Sequence, residues 1–323
     1  MSAPVYILGP QSSTANLPQA IQRFAPDGSL ALISAGWRHG ESEYDALTRD
    51  LNRPINLLPL YSWFDELGTI EPELSLRSKT RQQYIKTYKT AYRLQLHSAL
   101  GLWTRMQELA DQHPVVHQED VRDALGFVRK IDERAIERLN QIRADFADLE
   151  TPWKHPSVQP MYAQIKETLE QSAALLIAGG HVALLRNRMY FFGLHQLIQS
   201  FLEAGKPVFA WSAGAMAITN RIILYYDDPP FGKGVPEVLD NGIGNIPHLI
   251  LLPHAKTRLR IKNRHRIQQF AQRFAPDICI TLENGALLSW KDNFMRNIGV
   301  KDSSMRICQD GTLQSWEVAR CVH

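Results

Sequence analysis

The feature that most constrains this chain is residues 205–219, which read GKPVFAWSAGAMAIT. The apolar run 207–211 is suited to a buried strand, and residues 216–218 are suited to the first turns of a helix. The small residues between them, beginning with Ser212, let the backbone turn sharply, which is the geometry of a nucleophile elbow. A helix N-terminus beneath the serine hydroxyl would stabilise negative charge. The alternative interpretation is an ordinary strand–helix junction in which Ser212 is the N-cap.

Short apolar runs alternate with helical patterns along most of the chain and predict an α/β fold. Because these runs are nearly continuous in apolar residues, we predict a doubly wound, mostly parallel sheet flanked by helices on both faces. Residues 286–290 are predicted to form a tight hairpin with the preceding strand, and residues 306–318 a C-terminal β-hairpin. Single helices are predicted over residues 182–203 and 257–274. The predicted strands cover residues 5–8, 30–34, 55–60, 173–178, 207–211, 222–226, 249–252 and 278–282.

The sheet pattern is interrupted by residues 77–150, which carry almost no strand signal. Two runs of apolar residues at helical spacing lie on either side of Pro114 and predict a pair of long helices. We interpret this region as a helical insertion within a single α/β domain that spans residues 1–323. The first run contains an aromatic stripe that is typical of a core or an interface, so a homodimer is also predicted. Its members are Tyr84, Tyr88, Tyr92, Ala99, Trp103 and Met106.

The composition is that of an ordinary globular protein and excludes several classes. Apolar residues make up 44% and charged residues 21% of the 323 residues, and the formal net charge is +3. A charge this small does not argue for a nucleic-acid partner. Three scattered cysteines suggest reduced thiols and a cytoplasmic location, without metal-ligand spacing. Neither a secretory signal nor a membrane span is visible in the sequence.

Polar residues follow the predicted strands at the points where they end. Gly179-Gly180, Ser212, Asp227, His254 and Glu283 all occupy such positions. In open α/β sheets, ligands bind at this edge. Each position alone also fits an ordinary loop or turn residue, so the prediction of a site depends on their combined order and placement.

These residue types are the ones that serine catalysis needs. A histidine removes the hydroxyl proton of the serine, and a carboxylate orients the histidine. His254 fits the base, while Glu283 and Asp227 compete for the orienting role. Backbone N–H groups must receive the oxyanion, and those of Ala213 and of Gly179-Gly180 are the natural donors.

Three motifs carry a resemblance to a known family. Trp-Ser-Ala-Gly-Ala at residues 211–215, Gly-Gly-His at 179–181 and Pro-His at 253–254 resemble the serine peptidase family of dipeptidase E and cyanophycinase. The resemblance implies a class I glutamine-amidotransferase-like fold. It is specific over residues 173–290, looser over the first three strands, and does not extend to residues 77–150.

The resemblance leaves the orienting acid open. The spacing from Ser212 to Asp227 is similar to that of the dipeptidase E branch. Residues 242–247, GIGNIP, and residues 282–287, LENGAL, look more like the cyanophycinase branch, in which a glutamate orients the histidine. Because this second match is longer, we favour Glu283 and keep Asp227.

Two further positions bear on substrate binding. Relatives usually carry Asn where this chain has His181, which the resemblance places beside the substrate. Residues 257–274 are strongly basic at their start, and Arg258 lies nearest to His254 in sequence. Family members act beside aspartyl groups, so the resemblance implies that such an arginine holds a substrate carboxylate. The alternative is a solvated helix face or a phosphate-binding surface.

The sequence therefore predicts a serine-type hydrolase of peptide or amide bonds that acts on small or Asp-containing peptides. The expected mechanism needs neither a metal nor a cofactor. One alternative is a relative of this fold that binds a ligand or partner without turning it over. Another is an esterase or a different amidase, because acyl transfer uses the same machinery.

Overall fold

The computed structural model describes residues 2–12, 15–146, 149, 151–225 and 234–320. The helices are α1 Leu17–Phe24, α2 Asp45–Leu51, α3 Leu60–Ile70, α4 Pro72–Gln112, α5 Gln118–Ala144, α6 Gln159–Gln171, α7 Val182–Phe191, α8 Leu194–Glu203, α9 Ala213–Ala217, α10 Ala255–Arg258 and α11 Arg264–Phe274. The strands are β1 Val5–Leu8, β2 Leu30–Ile33, β3 Ile55–Leu57, β4 Ala174–Ile177, β5 Val208–Trp211, β6 Arg221–Leu224, β7 Glu237–Asn241, β8 Leu249–Pro253, β9 Ile278–Leu282, β10 Leu287–Lys291, β11 Phe294–Asn297, β12 Arg306–Ile307, β13 Leu313–Gln314 and β14 Val318–Arg320.

The main sheet has eight strands in the order β14-β11-β10-β1-β5-β4-β2-β3. The five strands from β1 to β3 in this order are parallel, and the others join antiparallel. In β1, Val5 and Ile7 belong to one buried cluster, and Tyr6 and Leu8 belong to another. Because successive side chains of a strand point to opposite faces, both faces of the sheet are covered. The predicted α/β fold is confirmed.

A smaller sheet, in the order β13-β12-β9-β8, lies beside the main one. β8 and β9 are parallel, and β12 and β13 form the predicted C-terminal hairpin. The hairpin predicted between β9 and β10 is wrong, because β10 pairs with β1 and β11 in the main sheet. Leu288 on β10 is fully buried there, so burial of its apolar side chains decided the pairing.

The two predicted long helices exist as α4 and α5, which pack along each other. Tyr92 and Trp103 of α4 are each 1% exposed and share a buried cluster with Val128 of α5. The aromatic stripe therefore belongs largely to the interior. Its most buried members offer no outer surface for a second copy. Assignment of the whole chain to one domain stays a prediction.

Two helices that were predicted to be single are broken. The stretch 182–203 divides into α7 and α8 at Gly193, whose φ of 70° ends the first helix. The stretch 257–274 divides into α10 and α11, with Arg260 at a φ of 52° between them. Positive φ values interrupt the helical hydrogen-bond ladder, and apolar spacing does not report them.

Helix α3 is absent from the prediction, which placed a strand up to residue 60. Its first N–H groups, from Tyr61 and Ser62, donate to the carboxylate of Glu41 at 2.8 and 3.0 Å. Glu41 is 1% exposed and lies twenty residues earlier in the chain. A cap supplied from so far away leaves no local sequence signal.

Candidate active site

Ser212 lies at the turn between β5 and α9 and has a strained backbone. Its φ of 51° and ψ of −118° lie in a region that residues with a side chain rarely adopt, at a cost of about 1–3 kcal/mol. Its N–H donates to the carbonyl of Leu8 at 3.2 Å, and its carbonyl accepts from the N–H of Met216 at 3.2 Å. The backbone on both sides of the serine is therefore held, and the strained turn persists.

Gly214 explains why α9 can begin so close to the sheet. A Cβ at this position would lie 2.2 Å from the carbonyl oxygen of Ile177, at the end of β4. The missing side chain lets the first turn of α9 pack directly on the neighbouring strand. The serine is consequently placed over the carboxyl ends of β4 and β5.

The Gly179-Gly180 loop lies directly beside the Ser212 side chain. A Cβ on Gly179 would lie 3.0 Å from the Cβ and 3.4 Å from the Oγ of Ser212. The loop is fixed by the N–H of His181, which donates to the carbonyl of Gly36 at 2.8 Å. Within the described ranges, the N–H groups of Gly179 and Gly180 have no acceptor. The N–H of Ala213 lies in the first turn of α9, which has no intrahelical acceptors.

His254 follows β8 and also has a positive φ, of 59°. Its N–H donates to the carbonyl of Leu282 at 2.9 Å, which ties the histidine to the end of β9. Burial lowers the pKa of its imidazole, and the positive charge of Arg258 lowers that pKa further. The ring is therefore neutral at neutral pH and is able to accept a proton.

Packing brings the elements of Ser212 and His254 together. Ala213 and Ala255, the residues that follow them, belong to one buried cluster, and α9 packs against β8. Among the described residues, the imidazole of His254 has no hydrogen-bond partner, so neither Ser212 nor Glu283 is hydrogen-bonded to it. Catalytic hydrogen bonds are often long in the absence of substrate.

Glu283 follows β9 on the same edge. Its Oε1 accepts a hydrogen bond from the N–H of Lys256 at 2.7 Å, two residues after His254. Burial raises the pKa of the Glu283 carboxyl, and Lys256 opposes this shift. Gly9 lies just past the end of β1, and a Cβ on it would be only 1.9 Å from the carbonyl oxygen of Glu283. The two backbones therefore approach each other closely here. The other acid, Asp227, lies outside the described residues.

His181 caps helix α7. Its Nδ1 accepts a hydrogen bond from the N–H of Leu184 at 3.2 Å. An N–H can only donate, so Nδ1 carries no proton and Nε2 does. Partial burial and the nearby charge of Arg38 lower the pKa of His181, which favours this neutral form.

Arg38 is a residue of this edge that sequence reasoning missed. It follows β2, has a φ of 62° and a ψ of −126°, and is exposed. The loop that carries Arg38 is tied to His181 through the carbonyl of Gly36, and the positive charge of Arg38 lowers the pKa of His181. The position of Arg38 in the loop that follows β2 was the signal by which the sequence could have identified it. Arg258 is also exposed, on α10.

Two cavities of about 470 and 590 Å³ lie among α4, α5 and α11, away from the loops that carry Ser212 and His254. Their lining residues include none of the predicted site residues. In the described ranges, no group of three His, Cys, Asp or Glu residues is placed to hold a metal ion. No helix within the described residues has the length and apolar character needed to cross a bilayer.

The comparison with protein-family models shows which family the chain belongs to. The family model of peptidase family S51 matches residues 135–298, just over half of the chain. The chain belongs to peptidase family S51. This is the family of dipeptidase E and cyanophycinase, and the chain has the class I glutamine-amidotransferase-like fold.

Other comparisons are more distant. The subunit PdxT of pyridoxal 5'-phosphate synthase from Geobacillus sp. (strain WCH70) is 35% identical over 66 residues, which cover 20% of this chain and 34% of PdxT. PdxT of Geobacillus kaustophilus (strain HTA426) is also 35% identical, over 33% of its length. This chain thus spans about a third of the length of these relatives. A crystal structure of a peptidase from an acI-B1 Actinobacterium is similar with a TM-score of 0.49 and 12% identity, covering 99% of this chain and 97% of that one.

Proposed function

We propose that this member of the family hydrolyses peptide or amide bonds with Ser212 as nucleophile and His254 as base. The observation that carries the proposal is the strained backbone of Ser212 at the turn between β5 and α9. Strained residues cluster at functional sites, where the strain fixes the direction of a side chain. Here the strained turn directs the Ser212 side chain toward the Gly179-Gly180 loop.

In the proposed mechanism, His254 removes the proton from the Ser212 hydroxyl as the oxygen attacks the substrate carbonyl. The oxyanion is bound by the N–H of Ala213 and by N–H groups of Gly179 and Gly180, which have no acceptor among the described residues. His254 then donates its proton to the leaving amine, and water hydrolyses the acyl-enzyme. The lowered pKa of His254 supports its role as the base.

The orienting acid is proposed to be Glu283, with Asp227 as the competing candidate. Glu283 is favoured by the backbone bond between His254 and Leu282 and by its own bond to Lys256, which keep it near the histidine. The variants Glu283→Gln and Asp227→Asn separate the two. The variant that replaces the orienting acid should have a kcat lower by about a hundredfold or more, because the histidine then lacks its partner. The other variant should retain most of the kcat.

The substrate is proposed to be a small peptide with an acidic group, such as an aspartyl dipeptide. The exposed guanidinium groups of Arg38 and Arg258 support this, because their positive charges act on His181 and His254. Guanidinium groups bind carboxylates through paired hydrogen bonds. The imidazole Nε2–H of His181 supplies one further donor for the substrate.

Hydrolysis of a library of aspartyl dipeptides tests the proposal. The wild-type protein should release amino acids, and Ser212→Ala should reduce kcat/KM by at least about a thousandfold. Ser200→Ala, at an exposed serine of α8, is the matched control and should leave kcat/KM unchanged. Equal activity of wild type and Ser212→Ala would rule out this nucleophile.

A fluorophosphonate probe with intact-mass analysis distinguishes hydrolysis from ligand binding alone. Labelling of the wild type and Ser200→Ala, and its loss in Ser212→Ala, is expected because the probe needs an activated hydroxyl. Absence of an adduct on the wild type would favour a protein that binds its ligand without turning it over. Hydrolysis of esters in preference to dipeptides would indicate an esterase.

A further inference from the structure

A third cavity, of about 180 Å³, lies between α4, α7 and β7 and has an unusual charge balance. Its lining includes the cationic residues Lys86, Lys89, Arg93 and Arg186, and one carboxylate, Asp240. None of the loops that carry Ser212 or His254 contributes to this lining. Its volume exceeds more than tenfold the roughly 10–15 Å³ that one water needs, so it has room for a small ligand.

Asp240 is the one carboxylate of the lining, and both of its oxygens already accept hydrogen bonds. Oδ2 accepts a hydrogen bond from Nη2 of Arg143, and Oδ1 accepts from the N–H of Asn241 at 2.8 Å. Nη2 of Arg186 remains 3.8 Å from Oδ1, beyond hydrogen-bond distance. The side chain of Arg186 is 5% exposed, and its Nε donates to the carbonyl of Asn241 at 2.9 Å, a neutral partner that does not balance its charge.

Lys89 is buried in the same place without a carboxylate of its own. Its Nζ donates to the carbonyls of Val238 and Leu239. In the part of the chain that the structure describes, no carboxylate oxygen lies within 4.0 Å of this nitrogen. Burial lowers the pKa of Lys89 to about 8, which shows that the protein solvates its charge poorly.

The remaining ion pair does not change the balance. Arg93 forms a two-pronged pair with Glu237, with distances of 2.6 and 2.8 Å, so their charges cancel. Lys89, Arg143 and Arg186 are left to share Asp240, which gives the described cluster a surplus of positive charge. A buried surplus of positive charge is unfavourable, and a bound anion would reduce that cost.

We propose that this cavity binds one small anion that carries carboxylate or phosphate oxygens. Lys89 and Arg186 contact the anion from inside the cavity, and Lys86 contributes its charge at the exposed mouth. The anion joins two parts of the fold. Lys86 and Lys89 lie on α4, and Arg186 lies on α7, which begins directly after the Gly179-Gly180 loop.

Calorimetric titration with inorganic phosphate and, separately, with malonate tests the proposal on the full chain. We expect saturable binding of at least one anion at one site per chain, and the better ligand identifies phosphate or carboxylate oxygens as the preferred group. Lys89→Met and Lys86→Ala should each raise the dissociation constant by about tenfold or more, because charge-assisted hydrogen bonds to the anion are lost.

Two control variants make the result specific. Lys79→Ala removes an exposed lysine of α4 outside the cavity and should leave the affinity unchanged. Ser212→Ala should also bind normally, so failure of the proposed peptidase site would not affect the result. The proposal is overturned if neither anion binds saturably, or if Lys86→Ala binds as tightly as the wild type. Because Lys86 is exposed, its variant remains informative even if Lys89→Met does not fold.

Discussion

Two residues of the candidate site, Ser212 and His254, have positive φ values of 51° and 59°. Each directly follows the last residue of a buried strand, and each donates its N–H to the carbonyl end of another strand. These hydrogen bonds and the packing around them hold conformations that would otherwise be unfavourable. At the scale of single residues, the site is therefore built from strand ends.

His254 leads to a prediction about pH. Activity should fall as the pH is lowered through an apparent pKa below the ordinary histidine value of about 6.5, because the protonated base cannot accept a proton. Arg258→Ala should move this limb of the kcat/KM profile upward by roughly a few tenths of a pH unit, since one neighbouring positive charge is removed. Arg258→Lys keeps the charge and serves as the control. A limb that does not move in Arg258→Ala would contradict the assignment of the pKa to His254.

His181 leads to a prediction about stability. His181→Ala should lower the free energy of unfolding by about 1 kcal/mol, because the N–H of Leu184 loses its cap. His181→Asn should preserve the cap and the stability. Urea denaturation measures both values.

The pH dependence of this cap has a definite sign. The pKa of His181 is lowered in the folded state. The stabilisation of the fold by its neutral imidazole is therefore fully present above the pKa of the unfolded chain and is lost as the pH falls through the pKa of the folded state. His181→Asn should not show this loss. An equal response of wild type and His181→Asn to acid would argue against the cap.

At the scale of elements, close approach of backbones decides where helices can begin. Gly214→Ala should destabilise the protein by about 3 kcal/mol or more, because its Cβ would clash with the carbonyl of Ile177. Gly101→Ala is the matched control within α4, where an added Cβ meets no atom within 4 Å. It should stabilise the protein by about 0.5–1 kcal/mol through helix propensity. Thermal unfolding of both variants measures the contrast, and equal effects would contradict it.

At the scale of the whole molecule, the helical pair is joined to the α/β part by a buried ion pair. Asp132 of α5 accepts two hydrogen bonds from Arg273 of α11, both at 2.7 Å, and one from the Tyr92 hydroxyl at 2.8 Å. Both charged side chains are 3% exposed. Favourable interaction with Asp132 raises the pKa of Arg273 in spite of its burial.

This ion pair gives a further prediction. Asp132→Ala should destabilise the protein by about 3–5 kcal/mol, because Arg273 would stay buried without its partner. Asp123→Ala, at an exposed aspartate of the same helix, should change the stability by less than about 0.5 kcal/mol. Urea denaturation compares the two variants. A small effect of Asp132→Ala would show that α5 is docked by its apolar contacts alone.

The homodimer and the cytoplasmic location stay predictions of the sequence. Light scattering of the purified chain measures its mass in solution and tests the dimer. Because Tyr92 and Trp103 are buried within the chain, a dimer would have to use other side chains of α4 and α5. A mass of one chain over the micromolar range would argue against self-association.

Much of the fold was predictable because its signals are local. Buried parallel strands need continuous apolar runs, and long paired helices need apolar residues at helical spacing, so both were visible in the sequence. The breaks at Gly193 and Arg260, and the start of α3, depend on positive φ values or on a distant cap. These features have no periodic signal.

The sequence by itself determined most of the order of strands and helices, the family motifs and the identity of the candidate nucleophile, because each depends on neighbouring residues. Tertiary structure decided how β10 pairs, which strand ends meet around Ser212, and that the carbonyl of Gly36 binds the N–H of His181. It also gathered Lys89, Arg143 and Arg186 around one aspartate. Such contacts join residues far apart in the chain, and burial and charge in the folded state select them.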